Sequence, residues 1–172
     1  MRSPVVNVLS ALLTTGALLG AAGSASAANP ATTTFVVSAT VLKNCTVSAL
    51  PLAFNNYTPG AGALAVNTTV SVSCTKTTPF NTELTAGTGG STIAQRLLND
   101  GAGDTLQYNL YTTALLATPW GITIGTNTVA GAGAGMATPV VQTVFGQLVD
   151  SVANQAVPPG LYSDTITVNV AY

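Results

Sequence analysis

The stretch Tyr162-Ser-Asp-Thr-Ile-Thr-Val-Asn-Val-Ala-Tyr172 decides the fold. Ile166, Val168, Val170 and Tyr172 fall on one parity, and Thr165, Thr167 and Asn169 on the other. A period of two lets a β-strand lie on a core with one face and meet water with the other. The sequence stops on this strand. Such an end is either tucked into a sheet or left for something else to complete. The second option is favoured here, which makes the chain a building block and not a catalyst.

The same parity recurs upstream. In Leu64 to Cys74 the positions Val66, Val70, Val72 and Cys74 are apolar apart from Thr68, while Asn67, Thr69, Ser71 and Ser73 are polar. Phe80, Leu84 and Ala86 alternate with Asn81, Glu83 and Thr85, and Leu106, Tyr108 and Leu110 with Gln107, Asn109 and Tyr111. Phe35, Val37, Ala39 and Val41 share one face. From Val140 to Leu148 the alternation blurs, which predicts a strand buried on both sides or bent. Between these runs lie Thr58-Pro-Gly60, Gly87-Thr-Gly-Gly90, Asn99-Asp-Gly101, Gly131-Ala-Gly-Ala-Gly135 and Pro158-Pro-Gly160, residues suited to turns. No window after residue 27 sustains a helical stripe. Short strands punctuated by glycine and proline predict an all-β sandwich.

Residues 1–27 predict a signal peptide. Arg2 supplies the charge, Val5 to Ala22 the apolar stretch, and Ala25-Ser-Ala27 the small-residue cleavage site. Asn7, Ser10, Thr14, Thr15, Gly16 and Gly20 interrupt that stretch, which argues against a permanent membrane span. The expected mature chain, residues 28–172, suffices for one domain with a core. Its charged side chains are Lys43, Lys76 and Arg96 against Glu83, Asp100, Asp104, Asp150 and Asp164. Three scattered cations give no footprint for nucleic acid. A chain that is 5% charged and 47% hydrophobic is also a poor candidate for disorder, and it has little colloidal repulsion to keep copies apart.

Two cysteines in an exported chain predict one disulfide, Cys45 to Cys74, stabilising by about 3.5 kcal/mol on the chain-entropy model. The sequence has no histidine, so the usual acid–base group at neutral pH is missing. Oxidised cysteines leave no thiol nucleophile, and neither a cofactor nor a metal is expected. Asn99-Asp-Gly-Ala-Gly-Asp104 faintly resembles a calcium turn but lacks the oxygen spacing and terminal glutamate of an EF-hand, so a solvated hairpin turn is expected. Trp120 is expected as a core anchor at a strand end, with sugar stacking as the other reading. Asp164 and Tyr162 are expected to set strand register and a corner hydrogen bond. Asn44-Cys-Thr46, Asn56-Tyr-Thr58 and Asn67-Thr-Thr69 match the glycosylation triplet, which means little in the bacterial host that the leader and composition suggest.

Several strings together resemble one family. They are Phe35-Val-Val-Ser-Ala-Thr-Val41, Cys45-Thr-Val-Ser-Ala49, Val70-Ser-Val-Ser-Cys-Thr75, Leu106-Gln-Tyr-Asn-Leu-Tyr111, Trp120-Gly121, Val144-Phe-Gly146 and Gly160-Leu-Tyr-Ser-Asp-Thr165. In that order and with both cysteines, they are similar to the spore coat protein U domain family, that of the Csu-type archaic chaperone–usher pilus subunits. The resemblance covers essentially the whole expected mature chain.

It implies an incomplete immunoglobulin-like sandwich lacking its last strand. A periplasmic chaperone lends a strand to the gap, and an outer-membrane usher exchanges it for the N-terminal segment of the next subunit. The resulting pili serve attachment and biofilm, while some members are named for spore coats. The implied division is a donor segment at 28–43 and a pilin-type domain at 44–172. Phe35, Val37, Ala39 and Val41 would be donor plugs, and Ile166, Val168, Val170 and Tyr172 part of the acceptor groove. Extended at roughly 3.3 Å per residue, Ala28 to Lys43 spans about 50 Å. The other reading is that Phe35 to Val41 is the domain's own first strand. The expected partners are copies of itself or related subunits, the chaperone and the usher. A carbohydrate-binding tip adhesin using Tyr57, Tyr111 and Trp120, or a non-fibrous coat protein, is the rival function.

Overall fold

The computed structural model describes residues 29–172, so the expected signal peptide lies outside the described residues. The chain divides into two units, residues 1–39 and 40–172. In the first, residues 29–39 carry no regular secondary structure. Phe35 and Val37 are 85% and 81% exposed. No strand forms at Phe35 to Val41, although the parity of its apolar residues would suit one.

The second unit is all-β apart from one helical turn. Its elements are β1 (Cys45–Ala49), β2 (Leu64–Cys74), β3 (Pro79–Leu84), β4 (Arg96–Asn99), β5 (Thr105–Tyr111), β6 (Val129–Ala132), β7 (Val140–Leu148), α1 (Val152–Gln155) and β8 (Val168–Ala171). Two antiparallel sheets, ordered β1-β2-β7-β5-β4 and β6-β3-β8, enclose one core in an immunoglobulin-like sandwich. Val70, Val72, Leu106, Leu110, Val144 and Leu148 from the first sheet meet Phe80 and Leu84 from the second. The alternation that predicted β2, β3 and β5 is the alternation of their burial except at Asn109, which is buried, and Cys45 and Cys74 are disulfide-linked as cross-strand neighbours of β1 and β2.

The register gives the sandwich two distinguishable ends. At the disulfide end lie the starts of β1, β3 and β7 and the end of β8. At the hairpin end lie the start of β2, the turn 100–104 between β4 and β5, and the close of β7.

Two expectations need correction. β7 is neither buried on both sides nor bent: Gln142, Val144, Gly146 and Leu148 all face inward in ordinary alternation. Polarity hid the pattern, because Gln142 turns its amide to the Val129 carbonyl, and Leu52 and Phe54 pack so closely on Gly146 that a Cβ there would clash. The terminal strand is shorter than Tyr162–Tyr172. Only Val168–Ala171 joins the ladder, while Ser163 bridges to Asn99 of the other sheet. Between them, Thr167 donates to the Thr85 hydroxyl instead of its carbonyl, which Arg96 occupies.

Arg96 is completely enclosed. Its guanidinium donates to the carbonyls of Leu84, Thr85 and Trp120 and to Asn109 Oδ1, and burial lowers its pKa. Asn109 in turn donates to the carbonyls of Ile93 and Ala94. Asn154 of α1 exchanges hydrogen bonds with both backbone groups of Gln107, continuing the β5 ladder where β7 has ended. These buried polar groups hold because their partners are fixed backbone atoms.

Candidate functional site: an open groove between β1 and β8

Among the described residues β1 and β8 are edge strands of opposite sheets, and each lacks a neighbour on one side. In an antiparallel ladder alternate residues turn both backbone groups to the partner, and the rest turn them away. On β1, Asn44 and Leu50 bond to Thr75 and Thr69, so Cys45, Val47 and Ala49 aim N–H and C=O away from β2. On β8, the Thr85–Thr167 bond leaves Val168 and Val170 aimed away from β3. Two rows of free donors and acceptors thus border the opening.

The side chains at the same positions are apolar and face the core. Val47 stands opposite the enclosed Val72 on the inner face, yet it is 39% exposed. Val168 and Val170 stand opposite the buried Leu84 and Thr82, and both remain half-exposed. Ala49, Leu50, Leu52, Phe54, Ile166 and Val168 wall a cavity of about 340 Å³ floored by Val70, Leu84, Leu110 and Val144. A wider one of about 660 Å³ adjoins it at the hairpin end, sharing Leu52, Phe54, Leu98 and Asp164. This is an apolar face of the core opening between two edge strands.

The expected groove residues divide. Ile166 and Val168 line the opening. Val170 sits half-buried on the same face, and Tyr172, 55% exposed, lies past the end of β8. Phe35, Val37, Ala39 and Val41 are all exposed. Sequence reasoning missed Leu52 and Phe54, which come from the connection between β1 and β2. The alternation Leu50, Leu52, Phe54 was the available signal.

Polar anchors fix the hairpin end of the groove. Asp164 accepts from the Tyr108 hydroxyl, the Thr88 hydroxyl and the amides of Thr88 and Thr165, so it sets the course of the chain entering β8. Burial, then this hydrogen bond, raises the Tyr108 pKa. The Tyr162 hydroxyl donates to the Pro158 carbonyl at 2.8 Å, the corner bond expected of it. Asp150 accepts from the Tyr57 hydroxyl and the Gly60 and Gly62 amides, fixing loop 55–62. The Tyr57 hydrogen bond, helped by the two amides, holds the Asp150 carboxyl down at about 2. Asp100 spends one oxygen on the amides of Ala102, Gly103 and Asp104, a turn closure instead of a cation site. Among the described residues no group of three or more His, Cys, Asp or Glu side chains could hold a metal ion. Also among them, no helix is long and apolar enough to cross a membrane.

Trp120 is fully buried, with its indole N–H donating to the Thr82 carbonyl at 2.8 Å. It is the expected core anchor and offers no face to a sugar.

No curated protein matches the chain. Among solved structures, one match is the CsuC–CsuE chaperone–tip adhesion subunit pre-assembly complex from archaic chaperone–usher Csu pili of Acinetobacter baumannii. Identity is 23% and the TM-score 0.49, over 77% of this chain and 40% of that one, so the chain spans less than half the length of its match. The family model of the Spore Coat Protein U domain matches residues 31–169, nearly all of the described chain. With its two sheets, its cross-strand disulfide and its strand order in place, the chain belongs to the Spore Coat Protein U domain family.

Proposed function

We propose that the chain is a structural subunit of a chaperone–usher pilus, closed in the fibre by a strand from another copy. The observation that carries this reading is the apolar groove bordered by free backbone groups of both β1 and β8. An incomplete sheet edge recruits a strand through main-chain pairing, and alternate side chains supply the specificity. Residues 35–41 supply such a segment: four apolar side chains at a spacing of two, exposed and outside any strand.

Family membership supports the same route. A periplasmic chaperone first fills the groove, an outer-membrane usher replaces its strand, and the pilus serves surface attachment and biofilm. The work done is assembly, with no turnover and no cofactor. Burying the groove and the plugs together completes a core, so separation would re-expose both and the linkage is long-lived.

Deleting residues 28–41 tests the assignment. The truncated protein should remain soluble and bind its chaperone, yet form no polymer by itself or through the usher. Normal fibres from the deletion would refute the donor role of Phe35, Val37, Ala39 and Val41.

A further inference from the structure

Among the described residues the exposed charges are sorted by end. Lys43 and Lys76 are the only exposed cations, and both lie at the disulfide end, flanking the Asn44–Thr75 backbone pair. Asp100, Asp104 and Asp150 lie at the hairpin end, in the β4–β5 turn and just after β7. Of the others, Arg96 is enclosed, Glu83 sits on the outer side of β3, and Asp164 lines the groove at the hairpin end. Neighbouring like charges cost stability. A chain with so few cations has nonetheless placed its two exposed ones side by side.

The acidic end is also the mouth of the groove. Asn99 exchanges both backbone bonds with Ser163 in the groove wall, so Asp100 follows directly on that wall. Tyr162, next to Ser163 in that wall, lines the same cavity. Lys43, in turn, follows the last apolar plug, Val41, by two residues and shares its parity.

We propose that the carboxylate-ringed mouth of the groove is a docking surface for the lysine end of the next copy. The inference rests on donor-strand assembly as proposed above and adds a second contact to it. A strand filling the slot antiparallel to β8 leaves at the hairpin end and carries its own disulfide end there, setting Lys43 and Lys76 against Asp100, Asp104 and Asp150. Insertion the other way stacks lysine end on lysine end. The charges therefore select one insertion direction and steer the approach of copies.

Charge exchange tests it on the full mature chain, followed by light scattering during self-assembly at low ionic strength. K43E/K76E should slow elongation about tenfold. D100N/D104K should do the same, since the side-chain amide introduced at position 100 keeps an acceptor oxygen for the turn amides. Mixing the two variants, so that reversed ends can meet, should restore the rate of mixed elongation to within about threefold. Unchanged rates in both variants, or no recovery on mixing, would overturn the interface while donor-strand assembly stands. A wild-type chain that forms no end-to-end polymer overturns both.

Discussion

The sandwich interior has a sealed region and an open one, and their chemistry is opposite to what exposure alone suggests. The sealed region, where β3, β4 and β5 converge on Trp120, holds the cation of Arg96 and the amide of Asn109. The open region between β1 and β8 is lined almost wholly by apolar side chains. Arg96 and Asn109 survive inside the first because each meets fixed backbone carbonyls. Apolar groups face water in the second because no strand among the described residues pairs with the open edges of β1 and β8.

Arg96→Met should strike hardest at the sealed side. It removes the donors to three carbonyls and to Asn109 Oδ1 in an enclosed site, at a cost of about 3–5 kcal/mol. Urea denaturation of the purified chain should show that loss. A loss under about 1 kcal/mol would mean that packing around Trp120, and not the polar network, seals the region.

A matched pair of substitutions separates the two regions. Val72→Thr places a hydroxyl in a completely enclosed site and should cost about 1–3 kcal/mol of stability. Val168→Thr makes the same change on a half-exposed side chain of the groove, where the hydroxyl can still reach water, and should cost less than about 1 kcal/mol. Its effect should appear on occupancy: capture of a peptide spanning residues 35–41 should weaken roughly tenfold, because the incoming strand would bury the hydroxyl. Equal stability losses would show that β8 already faces a closed core.

How much of this was legible depends on which signal each residue carries. β2 could be read because polarity and burial coincide along it, and β3 and β5 because they coincide except at the buried Thr82 and Asn109. β7 could not, since Gln142 and Gly146 occupy inward positions that polarity assigns to the surface. Arg96 reads in the sequence as one of three scattered cations; its enclosure depends on carbonyls brought in by Leu84, Thr85 and Trp120, which no local window contains. Asn154 is hidden for the same reason. The groove was half legible: Ile166, Val168 and Val170 announce one wall by parity, while the free edge of β1 follows only from strand order. Leu52 and Phe54 enter from a connection that ends in turn residues, so their inward alternation reads as loop.

The mildest change concerns the roof of the open region. Asp150 holds loop 55–62 through Tyr57, Gly60 and Gly62, and its carboxyl is held at about 2, below the ordinary aspartate value of about 3.9. A depressed folded-state pKa means that the carboxylate contributes stability above the unfolded value and loses it as pH falls through the folded one. The loop contacts should therefore persist at pH 5 and release progressively between about pH 4 and 2, reversibly and without unfolding the sealed core. The Gly60 and Gly62 amide resonances should titrate with a midpoint of about 2, while the Trp120 indole N–H, bound to the Thr82 carbonyl, stays unchanged. Asp150→Asn should abolish the titration at both glycines. If the two amides titrate with a midpoint near about 4, the ordinary aspartate value, the carboxylate is not held by the loop, and the roof of the groove is looser than its hydrogen bonds imply.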